Sequence, residues 1–102
     1  MNIKSIYSDR AGHFVLDYGD NNSLSLLFSN GSHTENKYNC IKEDGLSWLM
    51  SPVASTTLEI MPRGEQIIKI CSEYKEYWNE PLLDYFPVEK LMELLERVKE
   101  KE

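Results

Sequence analysis

The sequence predicts an α+β fold: an antiparallel β-sheet meander of five to seven strands, with one C-terminal α-helix packed on one face. Three observations predict it. Turn-forming groups punctuate the N-terminal two thirds at intervals of roughly eight to twelve residues, the rhythm of consecutive hairpins. Between them, Phe14, Leu16 and Tyr18, then Leu24, Leu26 and Phe28, alternate with more polar or smaller neighbours, as half-buried strands do. Near the end of the chain, Val88, Leu91, Leu95 and Val98 recur at helical spacing with Met92 beside them, which makes a stripe rather than an alternating face.

In chain order, residues 2–8 form a first strand and Asp9-Arg10-Ala11-Gly12 turns it. Phe14 to Tyr18 lie in the second strand, Gly19-Asp20-Asn21-Asn22 makes the next turn, and Leu24 to Phe28 lie in the third. Asn30-Gly31 is a hairpin signal, because both residues tolerate positive φ. A polar fourth strand runs from about His33 to Ile41, with a composition suited to an edge. After Lys42-Glu43-Asp44-Gly45, the segment Leu46 to Met50 reads equally as a strand or a helical turn, and Pro52 ends it. Thr56 to Met61 is rich in β-branched and aliphatic residues. It is expected to pair, across a type I turn at Pro62-Arg63-Gly64, with a strand from Glu65 to about Tyr74.

The last element is a helix over residues 87–101. Pro87 suits the first helical position, where its missing N–H costs nothing. Glu89 lies in the first turn and Lys99 and Lys101 in the last, as the helix dipole favours. Glu93 and Arg97 are spaced to pair with each other. Truncating Leu91 or Leu95 to alanine is expected to cost about 2–5 kcal/mol if each is buried. Pro81 starts a short turn through Leu82 and Leu83.

A chain of 102 residues supports one domain around one core. It divides into a β-rich region over residues 2–74, a connecting segment over 75–86 and the helix over 87–101. Seventeen acidic residues against eleven basic ones give a net charge of −6. Such a field opposes direct binding of nucleic acid or an anionic membrane, since both rest on Lys and Arg meeting phosphate. No apolar run reaches the roughly 20 residues of a membrane helix, and the N-terminus lacks a secretory core. Cys40 and Cys71 each sit beside an isoleucine and read as small buried hydrophobes. The expected location is the cytoplasm.

The search for chemistry returns little. The five glycines stand singly at turns, so no phosphate loop exists. A zinc site would need His13, His33, Cys40 and Cys71, none of which has the close spacing of a finger or ribbon. No G-x-S-x-G nucleophile elbow occurs, and Glu43-Asp44 are neighbours that point opposite ways on an extended chain. A small metal-independent ribonuclease could use His13 and His33 as base and acid, with Lys4 or Lys37 on the phosphate and Asp17 beside His13. That reading ranks low against the net negative charge. No cofactor and no metal are expected.

The informative stretch is 71–86. Glu73, Glu76, Glu80 and Asp84 stand among Tyr74, Tyr77, Trp78, Tyr85 and Phe86, and Lys75 is the sole cation within it. Aromatic anchors inside a charged rim are the anatomy of a protein-binding hot spot. On an extended chain, Tyr74, Glu76 and Trp78 would share one face and Glu73 and Tyr77 the other. Glu73, Tyr74, Glu76, Tyr77, Trp78, Glu80, Asp84 and Tyr85 are therefore the candidate partner-binding residues. The competing expectation is that these rings continue the core. The leading function is a small acidic, non-catalytic protein that neutralises a basic partner, such as an immunity protein, antitoxin or nuclease inhibitor. Behind it stands an adaptor, chaperone or assembly subunit with an apolar patch at Leu46, Trp48 and Leu49, and behind that the ribonuclease.

Overall fold

The computed structural model describes residues 1–10, 12–28, 32–35 and 55–102. Six strands are found among them: β1 (Ser5–Arg10), β2 (His13–Gly19), β3 (Asn22–Leu27), β4 (Thr57–Arg63), β5 (Trp78–Asn79) and β6 (Leu82–Pro87). Helix α1 (Glu65–Ser72) joins β4 to β5, and a 3₁₀ turn (Val88–Lys90) leads into α2 (Leu91–Glu100). The strands form one antiparallel sheet in the order β1-β2-β3-β4-β6-β5. The fold is α+β, with the C-terminal helix packed against the sheet. Of the strand expected from about His33 to Ile41, residues 33–35 form bends and a turn rather than strand, and the remainder, with the segment 46–50, Cys40 and Trp48, lies outside the described residues.

The register explains the core. One row crosses five strands as Phe14, Leu26, Ile60, Leu83 and Trp78, and the row beside it holds Leu16, Leu24 and Pro62. Side chains two apart on a strand share a face, so all of these look toward the helices. Ile67, Ile70 and Cys71 of α1 and Leu94 and Val98 of α2 close over Leu16, Leu24, Leu26, Ile60 and Leu83 in a single buried cluster, with Trp78 partly buried against it, whereas Phe14 is exposed. The opposite face carries the row His13, Leu27, Glu59.

Two expectations fail here. Residues 65–72 are helical, and the partner of β4 is β6 rather than a strand from 65 to 74. Ile68 and Ile70 alternate as a strand would, but Ile67, Ile70 and Cys71 also recur at helical spacing, and those are the residues buried. Glu65 in the first turn and Lys69 in the last agree with the helix dipole. The stretch 75–86 is likewise more than a connection, because it holds β5 and β6. In α2 the deepest residues are Leu94 and Val98, both fully enclosed. Leu91 and Leu95 pack beside them half-buried, while Val88 and Met92 face solvent.

No helix among the described residues is long and apolar enough to cross a membrane. Residues 32–35 lie against the sheet face away from the helices, with Ser32 and Thr34 buried. Glu35 secures this segment. Its carboxylate accepts the Thr56 N–H at 2.5 Å and the Thr56 hydroxyl at 2.6 Å, and its own N–H donates to Thr57 Oγ1 at 2.9 Å. The Thr56 hydroxyl, then the Thr56 N–H, holds the Glu35 carboxyl below its ordinary value of 4.5. A pKa lowered by folding stabilises the folded state above the unfolded value, and that contribution is lost as pH falls through the folded one. The stability difference between the parent and Glu35→Gln, followed by urea unfolding across pH, is therefore expected to be full above 4.5 and to close below it. A difference that persists unchanged at the acid end would contradict the assignment.

Candidate functional site

Two constellations stand out, one on the hairpin 76–85 and one beneath it. The hairpin sits at the edge of the sheet. Trp78 pairs with Leu83 and Asn79 with Leu82, and the Asp84 N–H donates to Tyr77 O at 2.9 Å. That bond sets Glu76 and Tyr77 alongside Asp84 and Tyr85. The β4–β6 register slips between Leu58 and Ile60. At this bulge Tyr85 adopts a φ of 51°, unusual for a bulky residue, and its N–H leaves the ladder for His33 O at 2.9 Å. Bulges re-aim side chains, and Tyr85 is 44 % exposed.

The eight candidate partner-binding residues separate into three groups. Glu73 and Tyr74 are committed to α2. Arg97 forms an ion pair with Glu73 and lies 5.2 Å from the centre of the Tyr74 ring, whose hydroxyl donates to Glu93 Oε1 at 2.8 Å. Arg97 thus bonds across to Glu73, where sequence spacing alone suggested Glu93. Burial pushes the Tyr74 phenol pKa up. Tyr77 and Trp78 are half-buried, and Tyr77 meets Phe86 edge-on with ring centroids 5.5 Å apart. Glu76, Glu80 and Tyr85 are exposed. The segment does not alternate as an extended strand would, because residues 73–77 form turns, with the Tyr77 and Trp78 N–H groups both donating to Tyr74 O.

Asp84 belongs to the second constellation. His33 Nδ1 lies 2.8 Å from Asp84 Oδ1 and 3.7 Å from Glu59 Oε1. The His33 N–H donates to Glu59 Oε1 at 2.9 Å, and Asn79 Nδ2 donates to Asp84 Oδ2 at 2.8 Å. Glu59 is 8 % exposed, on the face opposite the helices. Sequence reasoning places His33 and Asp84 in separate arguments and misses Glu59. A signal is present: a carboxylate between Leu58 and Ile60, inside an otherwise apolar strand.

The ribonuclease geometry is only partly assembled. His13 shares the face of Glu59, two strands away, or roughly 10 Å at the usual strand spacing. The Asp17 Oδ1 accepts the Gly19 N–H at 2.8 Å. Cys71 is a free, buried thiol whose pKa burial pushes up to about 12, which leaves it poorly suited as a nucleophile. Lys37 and Cys40 lie outside the described residues.

No protein-family model, curated protein or solved structure matches the chain. What the fold defines is a class, an α+β domain that, among the described residues, has a six-stranded antiparallel sheet with two helices on one face and the cluster at His33 on the other.

Proposed function

We propose that the protein is a small acidic binding protein that neutralises a basic protein partner, in the manner of an immunity protein, antitoxin or nuclease inhibitor, and that it docks through the hairpin 76–85. The observation that carries this reading is the bulge that turns Tyr85 into solvent on the same hairpin as exposed Glu76 and Glu80. A rigid aromatic anchor supplies contact area at low entropic cost. Carboxylates around it steer a cationic surface and speed its capture. The free thiol at Cys71 suits a reducing cytoplasm.

The test is a pull-down from the source cells at low and high salt, followed by kinetics on the captured partner. The expected partner is basic and its association slows steeply with salt. The double charge reversal Glu76→Lys, Glu80→Lys is expected to slow association about ten-fold or more. Tyr85→Ala is expected to cost about 2 kcal/mol of affinity, whereas Asp20→Lys, on the β2–β3 turn and outside the hairpin, leaves both unchanged. A complex indifferent to salt and to the charge reversal overturns the proposal.

A second reading, an adaptor that binds through an apolar edge, draws on β1. Among the described residues its outer edge meets no strand, and Ile6 and Tyr7 are 59 % and 55 % exposed. Strand addition at such an edge would survive high salt and be lost on replacing Tyr7 by proline.

A further inference from the structure

We infer that His33, Glu59 and Asp84 form a binding site for one divalent transition-metal ion, with zinc the best match. The three residues come from separate regions of the chain: the segment 32–35, β4 and β6. One ligand atom from each lies within 4.8 Å of the others. Donors held at zinc bond lengths around a tetrahedral ion stand about 3.4 Å apart. The separations of 2.8 Å and 3.7 Å from His33 Nδ1 bracket that value.

Burial gives the site a closed floor and an open mouth. The side chains of Glu59, Asp84 and His33 are 10 %, 17 % and 35 % exposed. Three protein ligands with one side open to water is the arrangement of a metal centre that keeps a free position. The surrounding bonds hold the donors in place: Asn79 engages the far oxygen of Asp84, and the His33 N–H fixes Glu59. Such outer contacts orient ligands and tune affinity. Among the described residues, the ion-pair partner of both carboxylates is His33 and no lysine or arginine, so the charge favours a cation.

The donor set decides the class. An imidazole suits zinc, iron, nickel or copper, while magnesium and calcium prefer sites built from oxygen alone. On binding, the ion takes the place of the hydrogen bond between His33 and Asp84. The imidazole then ligates through Nδ1 and carries its proton on Nε2, exchanged through solvent. The ion also ties the segment 32–35 to β4 and β6, so binding raises the stability of the whole domain.

The test uses the intact chain, stripped with a chelator and titrated with zinc, manganese or magnesium chloride by calorimetry and thermal unfolding. The expected result is one zinc per chain, a rise in Tm with zinc and little response to magnesium. His33→Gln and Asp84→Asn are expected to abolish the zinc response. Asn79→Ala keeps every ligand and alters only an exposed side chain, and it is expected to weaken zinc by about 10–100-fold. Cobalt in place of zinc should give visible ligand-field bands without thiolate charge transfer. Absence of zinc binding, a thiolate band, an equal magnesium response or full affinity in His33→Gln each overturns the site. If a ligand variant fails to fold by circular dichroism, Asn79→Ala and the cobalt spectrum decide the matter.

Discussion

Replacing Phe86 with alanine is expected to lower stability by about 3–5 kcal/mol, the cost of emptying a large enclosed site. Phe86 has no exposed surface and pairs with Leu58 across β4 and β6. Two tyrosines meet its ring edge-on, Tyr74 at 5.1 Å and Tyr77 at 5.5 Å, with interplanar angles of 86° and 82°. Edge-to-face pairs add about 0.5–1.5 kcal/mol each beyond burial, so the loss belongs at the upper end of the range. Domains of this size hold only about 5–15 kcal/mol in all, and the variant is expected to unfold at markedly lower urea. Tyr85→Ala, one residue away, removes an exposed ring and is expected to shift stability by no more than about 0.5 kcal/mol. The contrast separates the two roles of the segment: Phe86 supports the hairpin from below and Tyr85 faces outward. A loss below about 1 kcal/mol for Phe86→Ala would mean that the site is not enclosed.

Where local rules and packing agree, the fold is legible in the sequence. The turn at Gly19 to Asn22 stands where its residues place it, with Asp20 and Asn21 at φ 54° and 64°. β3 follows its period-two pattern, whereas in β2 Phe14 is exposed and Val15 buried, and in β4 Leu58, Glu59 and Ile60 are buried in succession. The run Ile67-Ile68-Lys69-Ile70-Cys71 fits a strand and a helix equally well, and periodicity alone cannot choose between them. Packing chooses, since a helix here buries Ile67, Ile70 and Cys71 together against β3 and β4. The hairpin 78–87 is obscured because aromatics and acids of mixed burial interrupt its alternation. The cluster is illegible for a different reason. His33 and Asp84 stand 51 residues apart, and only the strand order, with β6 inserted beside β4, brings them together. Charge and composition point to the outward-facing half of the stretch 71–86, but they do not reveal that Glu73 and Tyr74 are held by Arg97.

The crossover that creates this strand order depends on Gly64, and Gly64→Ala is the second substitution with a large expected effect. Gly64 leaves β4 at φ 102° and ψ 135°, a region that side chains other than glycine rarely enter, at a cost of about 1–3 kcal/mol. Space is short as well. A Cβ at this position would collide with Asn22 Oδ1 and stand 2.9 Å from Asn22 Cγ and 3.1 Å from Asn22 Cα. The Asn22 side chain is not free to swing away without loss, because its Nδ2 donates to Gly19 O at 3.1 Å and braces the β2–β3 turn. Gly64 O also accepts the Ile68 N–H at 2.9 Å, so displacing the backbone disturbs the first turn of α1. The expected loss is about 2 kcal/mol or more by chemical denaturation. Strain and collision can be separated by a double-mutant cycle. Asn22→Ala in the Gly64→Ala background should recover the share due to the collision and leave the share due to φ. A neutral Gly64→Ala would contradict the left-handed geometry, and with it the path by which β6 comes to lie beside β4 and Asp84 comes to meet Glu59 and His33.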